Sequence, residues 1–322
     1  MPLATRRAFL ALAGLLPLAA RAALPDRPLR FVLGFPPGSG PDLVARLLAE
    51  GMREGVPAGV VVDNRPGAAG AIAAGEVGRN AAPDGTTLLL GEVGQLAMAP
   101  STYARLSYDP ARDFAPIAEV AAADFAFVVP ASVPAGNLAE YVAWAKARPT
   151  LFLGTFGAGT PGHFGASILA AGAGLTAEAV HFRSTGDAMT AVLNGAVGGM
   201  FGTVALVAPQ VREGRLKALA VTGPARAPLL PGVPTVAELG RPDLAFSAWF
   251  GLVAPAATPA PLRAELEALA LRALAAPALR ARMEEAGFRV AGRGGEAFGA
   301  LIREETARWA EVVRATGFRA IE

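Results

Sequence analysis

Short apolar, often β-branched runs alternate with helical patterns from Leu29 to Val253. That alternation constrains this chain most, because it is the signature of βαβ units. Strands are expected at 29–35, 59–63, 86–90, 126–129, 151–154, 179–182, 197–201, 217–221 and 245–253. Helical patterns lie between them at 41–53, 138–147, 161–172, 187–194 and 204–212. In the first of these, Leu43, Val44, Leu47 and Leu48 share one face and Pro41 suits the first helical position. The tail differs: 259–286 and 295–316 read as long helices with apolar contacts at i+3 and i+4 and charged faces. At 322 residues, the length suggests about two domains. No flexible linker separates two halves, so the chain is expected to cross between lobes more than once, through strands. The candidate crossings are 123–130 and 224–234, the latter punctuated by Pro228, Pro231 and Pro234. One lobe is then discontinuous, 24–122 plus 226–322, and the other is 123–225.

Several chemistries are excluded by residue counts. There are no Cys, which removes disulfides, thiolate catalysis, Cys-ligated zinc, iron–sulfur clusters and a Cys-anchored lipid. With His163 and His181 as the only histidines, a multi-His metal site is not expected, and no metal or cofactor is assigned. The formal charge of +2 is misleading. Arg6, Arg7 and Arg21 lie in the first 22 residues, which hold no acid; removing them from the 29 basic residues leaves 26 against 27 acids. No Lys/Arg cluster is interleaved with aromatics, so nucleic acid is not a partner.

The first 22 residues have the parts of an export signal. A basic start with Arg6-Arg7 precedes an apolar run of about 13 residues, then Ala20-Arg21-Ala22 as a cleavage site. The run is apolar all round and shorter than the roughly 20 residues a spanning helix needs. Thr5-Arg6-Arg7-Ala8-Phe9-Leu10 also resembles a twin-arginine signal. The expected mature start is Ala23, and the expected location is the periplasm.

Two glycine-rich turns carry the functional signal. Phe35-Pro36-Pro37-Gly38-Ser39-Gly40-Pro41-Asp42 and Gly154-Thr155-Phe156-Gly157-Ala158-Gly159-Thr160-Pro161-Gly162-His163 each follow a strand and open a helix. Such a turn exposes N–H groups beside the positive end of a helix and suits an anion. Neither has the dinucleotide or Walker spacing. Asp42 is read as a helix cap. A third segment, Asp63-Asn64-Arg65-Pro66-Gly67-Ala68-Ala69-Gly70, is read as close packing. A hydrolase needs a constellation; Ser39, His163 and Asp187 are the conceivable one, but no G-x-S-x-G elbow is present. No catalytic residue is assigned.

Together these residues resemble a known family. Leu29-Arg30-Phe31-Val32 leading into Phe35-Pro36-Pro37-Gly38, then Asp42-Leu43-Val44-Ala45-Arg46 and Asp63-Asn64-Arg65-Pro66-Gly67-Ala68, look like the opening of the Bug family. These are the extracytoplasmic solute receptors of tripartite tricarboxylate transporters. Pro83-Asp84-Gly85-Thr86-Thr87-Leu88, the run from Gly214 to Thr222, Pro231-Gly232-Val233-Pro234-Thr235 and Trp249-Phe250-Gly251-Leu252-Val253-Ala254-Pro255 are similar to it in the same order.

The resemblance implies a type II periplasmic-binding-protein architecture, two α/β lobes around a cleft. It implies a small carboxylate held by backbone amides, hydroxyls and ordered water, with delivery to membrane transport subunits and a monomeric receptor. Carried over by position, the ligand contacts are Pro37, Gly38, Ser39 and Gly40; Glu92 and Gln95; Thr155, Gly157, Ala158, Gly159 and Thr160; and Gly202, Thr203 and Val204. The chain departs from the family pattern at Ser39, usually a second Gly, at Phe182-Arg183-Ser184-Thr185-Gly186-Asp187, and at a missing acid near Gly198. Arg183 either pairs with a ligand carboxylate or is a solvated charge. Asp187 either accepts from a ligand amine or caps the next helix. The competing readings are an exported α/β hydrolase and a binding or sensory protein with no transporter partner.

Overall fold

The computed structural model describes residues 26–182, 184–319 and 321. The export segment expected at 1–22 and Arg183 lie outside the described residues. In chain order the strands are β1 (Leu29–Leu33), β2 (Val60–Asn64), β3 (Thr87–Glu92), β4 (Phe114–Pro130), β5 (Leu151–Thr155), β6 (Ala177–His181), β7 (Gly199–Thr203), β8 (Leu216–Val221), β9 (Ser247–Pro255) and β10 (Arg289–Gly294). The helices are α1 (Gly40–Gly51), α2 (Ala71–Gly75), α3 (Ala99–Thr102), α4 (Leu138–Lys146), α5 (Pro161–Ala173), α6 (Thr185–Leu193), α7 (Val204–Arg212), α8 (Ala260–Ala275), α9 (Pro277–Glu285) and α10 (Gly295–Ala315).

The sheet runs β2-β1-β3-β9-β4-β7-β5-β6, with β8 and β10 also on β4. β1 is parallel to β2 and β3, and β5 is parallel to β6 and β7. Parallel neighbours need crossover connections, which the intervening helices supply. β4 joins the two parallel sets. Up to Asp124 it pairs with β9 and β10; from Phe125 it pairs with β7 and β8. The result is two α/β lobes sharing one strand, as the fold class expected.

Only the last third of β4 resembles a strand in sequence. Its first part, Phe-Ala-Pro-Ile-Ala-Glu-Val-Ala-Ala-Ala-Asp, is alanine-rich and contains a proline. The small side chains suit a strand covered on both faces, and Pro116 sits at a register shift against β9, where its missing N–H does no harm. The tail helix expected at 259–286 is two helices. Pro277 has no N–H and its ring would strike the carbonyl one turn back, so the chain turns extended at Ala276 (φ −67°, ψ 122°) and restarts. Between α9 and α10, Arg289–Gly294 forms β10, a segment with little intrinsic strand preference that is held by its antiparallel ladder to β4.

An aromatic chain carries the core from one lobe to the other. Trp309 of α10, fully buried, lies 6.3 Å from Phe246 and 5.9 Å from Phe164 between ring centroids. Phe246 lies 5.4 Å from Phe201, which lies 5.0 Å from Phe127. Each such ring contributes roughly 1.5–3 kcal/mol by burial. Gly165 of α5 makes room for the Phe246 ring, which would stand 2.6 Å from a β-carbon there. The segment before β9 lies against the second lobe: Val221 donates to the Pro234 carbonyl at 2.9 Å, and Val236 donates back to Val221 at 2.8 Å. At the C-terminus, Ile321 donates to Thr102 (2.8 Å) and accepts from Ala104 (2.9 Å), while Phe318 packs on His163 and Phe164.

Candidate functional site

In each lobe the parallel strands end together, so their outgoing loops share one edge, the usual ligand position in open α/β sheets. In the first lobe these ends are Leu33, Asn64 and Glu92. The turn after β1 is organised by Asp42 rather than offered entirely to a ligand. Ser39, not Asp42, is the residue at the helix cap position; its hydroxyl and N–H both donate to the Pro36 carbonyl, at 2.7 and 3.3 Å. Asp42, buried in the first turn of α1, reaches back. One oxygen accepts from the Gly38 N–H and from Arg46 Nε, each at 2.9 Å, and the other accepts from Asn64 Nδ2 at 2.9 Å. Burial alone would raise its pKa; the donors Arg46, Gly38 and Asn64 outweigh that and hold it below the usual aspartate value. The Gly38 amide and the Ser39 hydroxyl are therefore engaged within the loop, and the first-turn amides of α1 are left as this loop's donors.

The segment after β2 combines the expected close packing with strain. Gly67, Ala68, Ala69 and Gly70 have φ of +136°, +46°, +49° and +87°. A non-glycine residue in the left-handed region costs roughly 1–2 kcal/mol, and such strain persists only where surroundings over-determine it. Here they do. A β-carbon on Gly34 would stand 2.3 Å from Gly70 Cα. Gln95, 1% exposed, donates from Nε2 to the Gly70 carbonyl at 2.9 Å and accepts from the Glu92 N–H at 3.2 Å. Tyr108 donates to the Gln95 carbonyl at 2.9 Å. Gln95 is thus a brace beneath the loops. Glu92 is half-buried at the strand end. Burial pushes its carboxyl up to about 7, opposed by the Gly94 N–H.

In the second lobe, Thr160 caps α5: its Oγ accepts from His163 N–H at 3.3 Å and donates to the Gly157 carbonyl at 2.9 Å. Gly157 and Gly159 take φ of +124° and +72°, which the turn requires. Gly159 donates to His163 Nδ1 at 3.2 Å, and the Thr155 hydroxyl is hydrogen-bonded to His181 Nδ1 at 2.7 Å. The rings of His163 and His181 meet edge to face at 4.7 Å. Burial, and secondarily His181, lowers His163 to about 4; burial also lowers His181. Both imidazoles are neutral near pH 7. Among the described residues, no hydrogen bond engages the amides of Ala158 and Thr160, at the positive end of a 13-residue helix.

The other predicted contacts of the second lobe lie at the end of β7 and the start of α7. Gly202 ends near Phe156, whose ring would lie 3.8 Å from a β-carbon there, and Thr203 precedes α7. Val204 lines a cavity of about 200 Å³ together with Phe288, whose ring in turn would stand 3.1 Å from a β-carbon on Gly40. The jaws touch at Gly159, where a β-carbon would lie 3.6 Å from Thr102 Cβ. Asp187 accepts from the Ser184 hydroxyl at 2.7 Å, and the same oxygen accepts its N–H at 3.1 Å, a helix cap. Ser39, His163 and Asp187 are each engaged with other partners, so they form no triad. Among the described residues no cluster of acids or histidines could hold a metal, and no helix is long and apolar enough to cross a membrane.

Asn64, Asp42 as loop organiser, Phe288 and the left-handed turn at 67–70 were not anticipated. The turn had a signal, the Arg-Pro-Gly-Ala-Ala-Gly run; the others act through contacts distant in sequence.

Comparison with known proteins agrees with this arrangement. A model of the tripartite tricarboxylate transporter family receptor matches residues 44–318. The periplasmic binding protein BugD is 32% identical, with a TM-score of 0.77 over 92% of this chain and 100% of its own. MatC from Rhodopseudomonas palustris with bound malate is 32% identical, with a TM-score of 0.75 over 90% of this chain and 99% of its own. R. palustris Rpa4515 with adipate is 29% identical, with a TM-score of 0.81 over 93% and 100%. The chain belongs to the tripartite tricarboxylate transporter receptor family, the Bug family, and is a solute-binding receptor rather than an enzyme.

Proposed function

We propose that this receptor captures a small carboxylate between its two lobes and delivers it to membrane subunits of a tripartite transporter. The observation that carries the carboxylate is the capped N-terminus of α5, where, among the described residues, no hydrogen bond engages the Ala158 and Thr160 amides. Donors at a helix N-terminus favour an anion and need no lysine or arginine. Malate and adipate in the neighbours MatC and Rpa4515 support the same ligand class. Export to the periplasm rests on residues 1–22, with Arg6-Arg7 and Ala20-Arg21-Ala22. Delivery rests on the family. In this reading Gly40 and Glu92 on the first jaw and Ala158, Thr160 and Gly202 on the second take opposite sides of the ligand, with Gln95 bracing the first jaw from beneath. We place the first lobe crossing within β4 at Asp124–Phe125 and the return at the start of β9, since 234–236 pair with β8. Thermal unfolding of residues 23–322 against a panel of C3–C6 mono-, di- and tricarboxylates tests the reading. At 100 times Kd, a bound acid stabilises by roughly 2.7 kcal/mol. At least one acid should raise the melting temperature in a saturable way; a flat response across the panel overturns the proposal.

A further inference from the structure

We propose that Glu92 sets the ligand class, selecting a carboxylate that also carries a hydroxyl or ammonium group over an unsubstituted acid. The inference rests on the carboxylate reading above and deepens it. Glu92 ends β3; the register Val32 with Leu89 places it level with Phe35, at the base of the first glycine-rich loop. Its carboxyl folds over the following turn, where a β-carbon on Gly94 would lie 2.3 Å from Oε1. The Gly94 N–H is its one favourable neighbour. Other acids of this jaw are paired: Asp42 with Arg46, and Asp63 with Arg30 and Arg65. Among the described residues, no Lys, Arg or His acts on Glu92. The titratable groups around it are the phenols of Tyr103 and Tyr108, both raised by burial and by Glu92 and so neutral. Its cross-strand partner on β9 is Phe250.

A carboxylate has about four acceptor sites, and one left half-buried with a single backbone donor is costly. A ligand hydroxyl or ammonium group supplies the missing donor. A second carboxylate at that place meets like charge. The opposite jaw has the reverse need, since its Ala158 and Thr160 amides find no acceptor among the described residues. A ligand with a carboxylate at one end and a donor nearby satisfies both.

The test is calorimetry on wild type and Glu92→Gln with matched C3–C6 acids: the unsubstituted diacid and its 2-hydroxy and 2-amino forms. At pH 8, wild type should bind a substituted member at least tenfold more tightly than the unsubstituted one, and Glu92→Gln should lose that preference. Wild-type affinity for the 2-amino form should also rise about tenfold from pH 6 to pH 8 as a carboxyl with a pKa near 7 ionises. The unsubstituted acid should weaken over the same range, and both profiles should be flat in Glu92→Gln. The wild-type pH profile decides by itself if the variant does not fold. An unchanged ranking, or wild-type profiles that are flat, overturns the role of Glu92. If no acid of any set binds either protein, the carboxylate reading falls, and this inference with it.

Discussion

Asp42 shows how a single carboxylate organises a glycine-rich loop from within. It holds Gly38, Arg46 and Asn64 together, and its lowered pKa means that folding favours its charged form. That contribution is present above the unfolded pKa, near 3.8, and disappears as pH falls through the lower folded value. Asp42→Asn should therefore cost about 1.5–3 kcal/mol near pH 7, toward the lower end because Arg46 is half exposed. The difference should shrink as pH falls below 3.8 and through the lower folded value, as denaturant unfolding at pH 7 and in acid will report. A constant deficit across that range contradicts a charge-based role. At this scale the glycines and hydroxyls of both loops were legible, because turn chemistry is local. The network of Asp42, Asn64 and Gln95 was not, because its partners lie on different strands and a sequence shows no such distances.

Among the elements, the helices and the β-branched strands follow from period and turn residues. β4 does not, because a strand covered on both faces uses small alanines where a half-exposed strand would alternate. The break before α9 was readable from Pro277 alone. A close backbone approach between elements is that of Gly34, after β1, to Gly70, after β2. A methyl at Gly34 would stand 2.3 Å from Gly70 Cα and 2.9 Å from Gln95 Nε2, and backbone cannot give way as a flexible side-chain tip can. Gly34→Ala should cost about 1–3 kcal/mol or more, as overpacking does. Gly38→Ala is the control. Its φ of +79° is strained for alanine, but nothing lies within 4 Å, so its cost should stay near the backbone penalty of about 1–2 kcal/mol. Thermal melts of the two variants compare them directly; equal losses would mean that the close approach does not matter.

For the molecule as a whole, an α/β architecture was legible from the alternating elements, and two lobes around a cleft from the family resemblance. The ligand chemistry came less easily. Arg30, Arg46 and Arg65 beside the first-lobe loops are already paired with acids, so on the proposed reading selection falls to amides, helix ends and Glu92, groups whose function depends on placement rather than residue type. The lobes meet through the Phe164–Trp309 aromatic contact and where Thr102 approaches Gly159, and the proposed acid binds between them. A crystal structure of the complex with whichever acid most raises the melting temperature tests this most directly. Density for the ligand carboxylate is expected at the Ala158 and Thr160 amides, with the same molecule contacting the first-lobe loops near Gly40 and Glu92. A ligand seated wholly within one lobe, or away from both loops, would contradict it.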